Sequence, residues 1–333
     1  MATIKDVAKE AGVAVSTVSR VINNSGYVSE KTKDIVLKAM EKYNFSPSGV
    51  ARGLVSGTTK TVGLMIPDVA NPFYSDIARG IEDSAIQNGF ATILCNYDWN
   101  LEREKMYLDK LRQMRVDGII LAGSRSKINS IINLIGNVPL VVIDRRDNPV
   151  GGAVWMNNEI GGKVATQHLL DIGCKNIVHL SGPKLSPSAL GRKNGFLQAI
   201  KEGLRSGMRI TSAVYQGDYR YSGGYELALK LLSSKNRPDG IFASNDIMAI
   251  GAIQAAQNLG ITIPNELAVI GYDNIAMGQY INPKLSTIDQ SGYLMGNTSW
   301  QLLFDIMASD ERTHKDIEFV PKLIKRQSTF RSN

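Results

Sequence analysis

The stretch VSTVSRVIN, Val15–Asn23, decides how the front of this chain is organised. Stepped by three or four, it separates into a polar stripe of Ser16, Ser19, Arg20 and Asn23 and an apolar one of Val18, Val21 and Ile22. That spacing predicts a short amphipathic helix, one face for a core and the other for water or a partner. Ahead of it, Thr3 can cap a first helix carrying Ile4, Val7, Ala8 and Ala11 at helical intervals, and Gly12 supplies a tight turn. After NSGY, Ser29 can cap a third helix with Val36, Ala39, Met40 and Tyr43 on one side. Two short helices joined through a glycine turn and braced by a third form a helix-turn-helix, whose second helix enters the DNA major groove. Ser16 and Arg20 would then face base edges, where the planar fork of arginine matches the two acceptors of guanine. A plain three-helix bundle satisfies the same pattern, and the pattern alone leaves both open.

Charge supports a polyanionic partner. Of the formal net charge of +7, residues 1–60 carry nine Lys/Arg against five Asp/Glu, while the remainder carries 29 against 26. A basic excess concentrated in a small N-terminal segment fits nucleic acid, although basic solvated faces are common. The segment YNFSPSGVARGLVSGTTKTVG, residues 43–63, follows. Pro47 suits a first helical turn with Ser46 as its cap, yet Gly49 and Gly53 each cost roughly 1 kcal/mol relative to alanine inside a helix. A linker that becomes helical only when a partner holds it is expected. Leu54 in this polar linker either wedges between base steps in the minor groove or packs on the following domain.

From Thr61 onward, short apolar runs alternate with amphipathic helices. TVGLMI, FATILC, VDGIILAG, PLVVID and AVWMN read as strands, as do NIVHLSG, AVYQG, DGIFASN, LAVIGYD and LSTIDQ. Helices are expected over Phe73–Gln87, Leu101–Arg115, Glu159–Ile172 and Ser188–Glu202. This rhythm implies doubly wound parallel sheets, and so many strands suit two lobes better than one sheet. The expected order is a helix-turn-helix domain over 1–46, a hinge helix or linker over 47–60, and a two-lobed α/β core over 61–333. Lobe 1 would take about 61–159 and 290–317, and lobe 2 about 160–289 and 318–333.

Ligands of open α/β sheets bind outside the carboxyl ends of the strands. Polar residues gather there: Asp144 with Arg145, Asn245 with Asp246, Asp273 and Gln290. Phe73, Tyr74 and Tyr219 add aromatic faces, and Arg192 is expected in the first turn of a helix. Carboxylates, amides and rings together suit a small polyhydroxylated ligand; taken singly, each is equally a loop cap or a surface charge.

Catalytic signals are weak. The three histidines, His168, His179 and His314, form no metal-ligand cluster, and neither a GxxxxGK[ST] loop nor a GxSxG elbow occurs. No catalytic residue, metal site or cofactor is expected. Cys95 and Cys174 fall in interior stretches without metal-ligand spacing, which suits buried thiols in a reducing compartment. Charges in MATIKDVAKE replace the apolar run of a signal peptide, and no apolar stretch approaches the roughly 20 residues of a membrane helix. A cytoplasmic protein without a membrane partner is expected.

TIKDVAKEAGVAVSTVSRVIN followed by SPSGVARGL resembles the LacI/GalR family of bacterial transcription regulators. The core motifs DVANPFY, VDGIIL, SNDIMAIGA, VIGYDN and STIDQ are similar to those of its members and of periplasmic sugar-binding proteins, so the resemblance runs along the whole chain. It implies a repressor that binds a palindromic double-stranded DNA operator as a homodimer and responds to a small-molecule sugar. Val15, Ser16 and Arg20 would read the major groove and Leu54 would wedge into the operator's central step; Thr3, Thr17, Ser19, Asn23 and Ala51 complete the implied DNA contacts. Arg192, Asn245, Asp273 and Gln290 match positions that hold effector sugars, and Phe73 and Tyr219 match positions that stack on them. Asp144 with Arg145 looks like the pair of ribose-binding relatives, which favours a pentose.

Three departures qualify the resemblance. Gly49 and Gly53 stand where relatives carry alanine or serine. Gln301 falls near the arginine that catabolite-control members use for a phosphocarrier protein, which argues against that co-repressor. No leucine heptads follow RQSTFRSN, so a dimer is expected rather than a tetramer. Ser186 aligns with an arginine of purine-responsive relatives, which argues against the strongest rival, a co-repressed regulator of nucleotide metabolism; a phosphorylated sugar is a further rival effector. A sugar-binding transport component would need a signal peptide and lack the N-terminal helices; a carbohydrate-active enzyme would need an acid/base pair.

Overall fold

The computed structural model describes residues 2–23, 25–45, 57–147, 151–309 and 314–330, in two compact units, 1–60 and 61–333. The first unit holds α1 (Ile4–Ala11), α2 (Val15–Asn23) and α3 (Glu30–Lys42). At the start of α1, the backbone N–H and hydroxyl of Thr3 both donate to Asp6 Oδ2 at 2.8 Å. These bonds to the charged form hold the Asp6 carboxyl below its ordinary pKa. Gly12 ends α1 at φ +63°, a left-handed conformation that glycine adopts without a Cβ penalty. Ser29 Oγ accepts from the Thr32 backbone N–H at 3.2 Å and starts α3. Val7, Ala8, Ala11, Val18, Val36 and Ala39 form the core between the three helices. The outer face of α2 is thereby left free. The linker residues Ala51 and Leu54 lie outside the described residues.

The second unit contains two six-stranded sheets. The first is built from β1 (Thr61–Ile66), β2 (Ala91–Asn96), β3 (Gly118–Ala122), β4 (Leu140–Ile143), β5 (Gly152–Met156) and β11 (Lys315–Phe319), in the order β11-β5-β4-β3-β1-β2. All its pairings are parallel. The second takes β6 (Asn176–Ser181), β7 (Thr211–Gln216), β8 (Gly240–Ala243), β9 (Ala268–Asp273), β10 (Ser286–Asp289) and β12 (Lys322–Ile324), in the order β12-β10-β9-β8-β6-β7. Only β12, at its edge, runs antiparallel. The ten strands expected from the apolar runs are present; β11 and β12 are additions, short and polar enough to carry no apolar signal.

Both faces of the inner strands of each sheet are buried, which is why those strands read as continuous apolar runs. Val62, Leu64, Ile66, Ile120 and Val141 point to one face of the first sheet, and Met65, Ile119, Leu121 and Val142 to the other. The covering helices are α4 (Pro72–Gln87), α5 (Leu101–Gln113), α6 (Ile128–Ile135) and α11 (Gly292–Ala308) for the first sheet. The second is covered by α7 (Asn158–Asp171), α8 (Pro187–Arg205), α9 (Tyr221–Leu232) and α10 (Asp246–Asn258). α7 and α8 approach so closely that a Cβ on Gly195 would run into the Glu159 carbonyl, and one on Gly162 into that of Arg192.

The chain passes between the two sheets three times: after β5, after β10, and between β11 and β12. These crossings sit beside one another, with the Asn157 backbone N–H donating to Phe319 O at 3.3 Å and its Nδ2 to Glu318 Oε1 at 2.8 Å. Three adjacent strands joining two lobes make a hinge. The carboxyl ends of β1, β4, β6, β8 and β9 converge on the cleft it spans.

Candidate functional site

In the first unit, Val15, Ser16, Arg20 and Asn23 are exposed along one side of α2, Thr17 and Ser19 are half-buried, and Val18 is buried. Thr3 is exposed, with its hydroxyl committed to Asp6. Asn23 Nδ2 donates to Ser19 Oγ at 3.3 Å. An exposed valine, two small polar groups and an exposed arginine on one helical face can meet base edges by hydrogen bonds and methyl contact. Tyr27, 92% exposed beside this face in sequence, was not singled out from the pattern.

In the second unit, Asn71, Phe73, Tyr74, Asp144, Ser188, Arg192, Tyr219, Asn245 and Asp273 surround a cavity of about 10 Å³ between the lobes. Arg192 is its electrostatic centre. Pro187 opens α8 after the Ser186 cap, so Arg192 falls in the second helical turn rather than the expected first. It is 3% exposed. Its Nε donates to Asn158 Oδ1 at 2.8 Å, Nη1 donates to the Ser244 carbonyl, and the guanidinium lies 3.7 Å from the Tyr272 ring centroid. Asp273 Oδ1 is 3.6 Å from Nη1 and accepts from Gln290 Nε2 at 2.6 Å.

Burial raises the pKa of both carboxyls at the cavity, Asp144 and Asp273, and Arg192 partly opposes it. Burial works against the charge on Arg192, yet Tyr219, Asp273, Tyr272 and Asp144 hold its pKa above the ordinary value. Asp144 Oδ1 and Gln290 Oε1 are buried without a hydrogen-bond partner among the described residues. Of the two, Asp144 lines the cavity, and an unfilled acceptor there suits a hydroxyl donor from a ligand. Tyr219 OH lies 3.4 and 3.2 Å from Ser186 and Ser188 Oγ, which fixes its ring against the site. Asp144, Tyr219 and Asp273 have φ of +69°, +67° and +113°. Strained backbone of this kind is concentrated where it aims side chains into a cleft.

Several expected residues are used otherwise. Arg145 turns away from this cavity: Nε and Nη2 grip Asp147 at 2.5 Å each, and Nη1 donates to Ser126 O at 2.7 Å. The neighbouring carboxylate out-competes the cleft for its fork. Asn245 touches the cavity, but its Oδ1 accepts from the Met248 N–H at 3.0 Å and its Nδ2 donates to Tyr219 O at 3.1 Å. Asp246 accepts from Thr287 Oγ1 at 2.6 Å and the Ile275 N–H at 2.9 Å; burial raises its pKa to about 7. Gln290 stands behind Asp273 rather than on the cavity wall. Asn71, Asn158, Ser188 and Tyr272 were not singled out. Their place was legible only for Asn71, which sits within DVANPFY at the end of β1 and accepts the Phe73 N–H at 3.1 Å.

A larger groove of about 490 Å³ borders the cleft along Asp144–Asp147, Trp155 and Asn157–Glu159. It is open, and its cations are engaged, Arg145 by Asp147 and Arg146 over the Trp155 ring at 5.0 Å. The smaller cavity, where Arg192, Asp273 and the unfilled Asp144 Oδ1 meet, is the better candidate site. Among the described residues, no group of His, Cys, Asp or Glu could hold a metal, and no helix is long and apolar enough to cross a membrane.

A helix-turn-helix unit, followed by a hinged two-lobed core with a polar site between the lobes, defines a ligand-responsive DNA-binding regulator. Residues 3–48 match the model of the bacterial regulatory proteins of the lacI family, and 166–329 that of the periplasmic binding protein-like domain. The chain is 38% identical over 329 residues to the ribose operon repressor of Halalkalibacterium halodurans, covering 99% of this chain and 97% of that protein. It is also 38% identical over 332 residues to the HTH-type transcriptional repressor PurR of Edwardsiella ictaluri, covering 98% and 97%. Among solved structures, the lac repressor dimer bound to operator and the anti-inducer ONPF superposes with a TM-score of 0.87 at 27% identity, covering 99% of each chain. A LacI family transcriptional regulator from Enterococcus faecium with bound ribose gives 0.71 at 33% identity, covering 81% and 98%. This chain belongs to the LacI family of DNA-binding transcriptional repressors.

Proposed function

We propose that this repressor is released from its operator by a monosaccharide, with a pentose such as ribose as first choice. The observation that carries the reading is Asp144 Oδ1: buried, without a hydrogen-bond partner among the described residues, and beside Arg192 and Asp273 at a narrow cavity walled by Phe73, Tyr74 and Tyr219. Sugar hydroxyls donate to the two carboxyls, the guanidinium donates to sugar oxygens, and the rings cover the apolar face of the sugar. The relative named ribose operon repressor and the ribose-bound neighbour support the same ligand class. Arg145 does not join Asp144 here, so the ribose reading rests on Asp144 rather than on the pair.

In this proposal 1–46 read DNA, 47–60 form the hinge with Ala51 and Leu54 at the minor groove, and 61–333 bind the effector and a second copy. Val15, Ser16, Thr17, Ser19, Arg20 and Asn23 supply the major-groove face, and Thr3 flanks it. Exposed Ile86 and Leu94 on one lobe and Met277 and Tyr280 on the other give the second copy apolar surface to cover. A cavity of about 10 Å³ holds about one water, so a sugar enters only as the lobes turn about the hinge. Differential sugar affinity for the two lobe arrangements then shifts operator affinity by the same coupling free energy.

The test is operator binding by mobility shift across a panel of pentoses, hexoses, their phosphates and purine nucleobases. Release by a pentose supports the reading. Tighter binding with a purine and no response to any sugar replaces it with co-repression, which the equal identity to PurR keeps as the second reading. At that point Ser186 offers only a hydroxyl, already bound to Ser188 Oγ at 2.9 Å.

A further inference from the structure

Trp99, in the loop after β2, is absent from every sequence expectation, yet its indole bridges the two lobes. Asp98 and Trp99 both have left-handed backbone, at φ +51° and +54°. The ring centroid lies 5.9 Å from that of Tyr219 in the second lobe and 6.1 Å from that of Tyr74 in the first. Both tyrosines line the cavity. A Cβ on Gly123 would meet Trp99 Cη2 at 3.3 Å, so the tip of the indole rests against backbone. The Arg125 guanidinium is 4.5 Å from the ring centroid. Beside the indole, Arg220 of the second lobe donates to Asp98 Oδ1 at 3.1 Å. Trp99 packs against the apolar cores of both lobes.

We propose that Trp99 is a specificity-determining wall of the effector cleft, which seals the gap between the lobes and restricts the ligand to a single sugar ring. The proposal rests on this cavity being the effector site. A rigid bicyclic ring braced by a cation, two tyrosines and a glycine cannot yield to a substituent as a flexible side chain would. The exposed Asp98–Arg220 pair contributes little by itself, so the ring contact is what a departing ligand must break.

The test compares full-length wild type, Trp99→Ala and Trp99→Phe. In ligand-free protein, hydrogen exchange at 97–101 and 217–221 rises in Trp99→Ala, stays near wild type in Trp99→Phe, and is unchanged in all three at 258–267. D-ribose dissociates from Trp99→Ala at least tenfold faster than from wild type, and phenyl riboside, excluded by wild type, binds the alanine variant. Unchanged exchange at 97–101 and 217–221 in Trp99→Ala refutes the seal whatever the ligand. Raised exchange with continued exclusion of phenyl riboside, in a protein whose wild type binds ribose, refutes the size restriction. Raised exchange with no pentose bound by wild type leaves the seal standing and overturns the pentose reading instead.

Discussion

Replacing Arg192 with alanine removes the one cation that lines the candidate cavity among the described residues and strands two buried carboxyls. The guanidinium is 3% exposed, bonded to Asn158 and Ser244, stacked on Tyr272 and 3.6 Å from Asp273. Removing one partner of such a buried pair costs about 3–5 kcal/mol, because the remaining charge has neither water nor a counter-ion. At roughly 2–4 °C per kcal/mol for a unit of this size, Tm falls by about 6 °C or more. The loss depends on pH with a definite sign. Burial already raises the pKa of Asp273 and Asp144, and Arg192 pulls both down. Without it their folded pKa values rise further above the unfolded ones. The variant therefore folds with protons on these groups, and its deficit is greatest at high pH and shrinks as pH falls through the folded pKa values. Urea unfolding of the full chain at pH 8 and pH 5 measures this. A deficit under about 1 kcal/mol, or one equal at both pH values, refutes the electrostatic account of the site. Arg192→Lys should fall between the two, since an ammonium keeps the charge but cannot reach Asn158 and Ser244 as one planar fork.

Asp144→Asn should leave Tm unchanged or raise it while weakening pentose binding at least tenfold by calorimetry, because it removes a buried charge held for the ligand. His179, stacked between Phe196 and Phe242 at 5.3 and 4.4 Å, stays neutral in the fold with its pKa lowered by burial to about 3. The unfolded chain takes up that proton near pH 6.5, so this contribution to stability is whole above 6.5 and is lost toward 3, at about 1.4 kcal/mol per pH unit; His179→Gln should flatten that part of the acid limb in urea titrations. Gly195→Ala forces α7 and α8 apart at the Glu159 carbonyl and should cost about 1–3 kcal/mol in thermal unfolding. Arg20→Ala should weaken operator binding by about 1–3 kcal/mol in mobility shifts, with the core's melting unchanged.

Much of the fold was legible because its physics is local. Val7, Ala8, Ala11, Val18, Val36 and Ala39 sit at helical intervals, and their burial builds the small helical unit. TVGLMI and the apolar runs of the other inner strands announced strands buried on both faces, and strand–helix alternation implied parallel order. β11 and β12 escaped because short edge strands such as KDIEF carry only a few core-packed side chains, Ile317 and Phe319 in β11 and Leu323 in β12, among polar residues.

The sequence by itself determined the three short N-terminal helices, the doubly wound lobes and the rule that polar residues after the strands would meet, since periodicity and strand polarity carry that information. It could not decide which of those residues share a cavity. Arg145 was lost to Asp147, two positions along, and Trp99 and Tyr272 entered through contacts with residues far away in the chain. Such choices turn on competition for hydrogen bonds and space among groups brought together only when the two lobes meet, and no local pattern encodes the outcome.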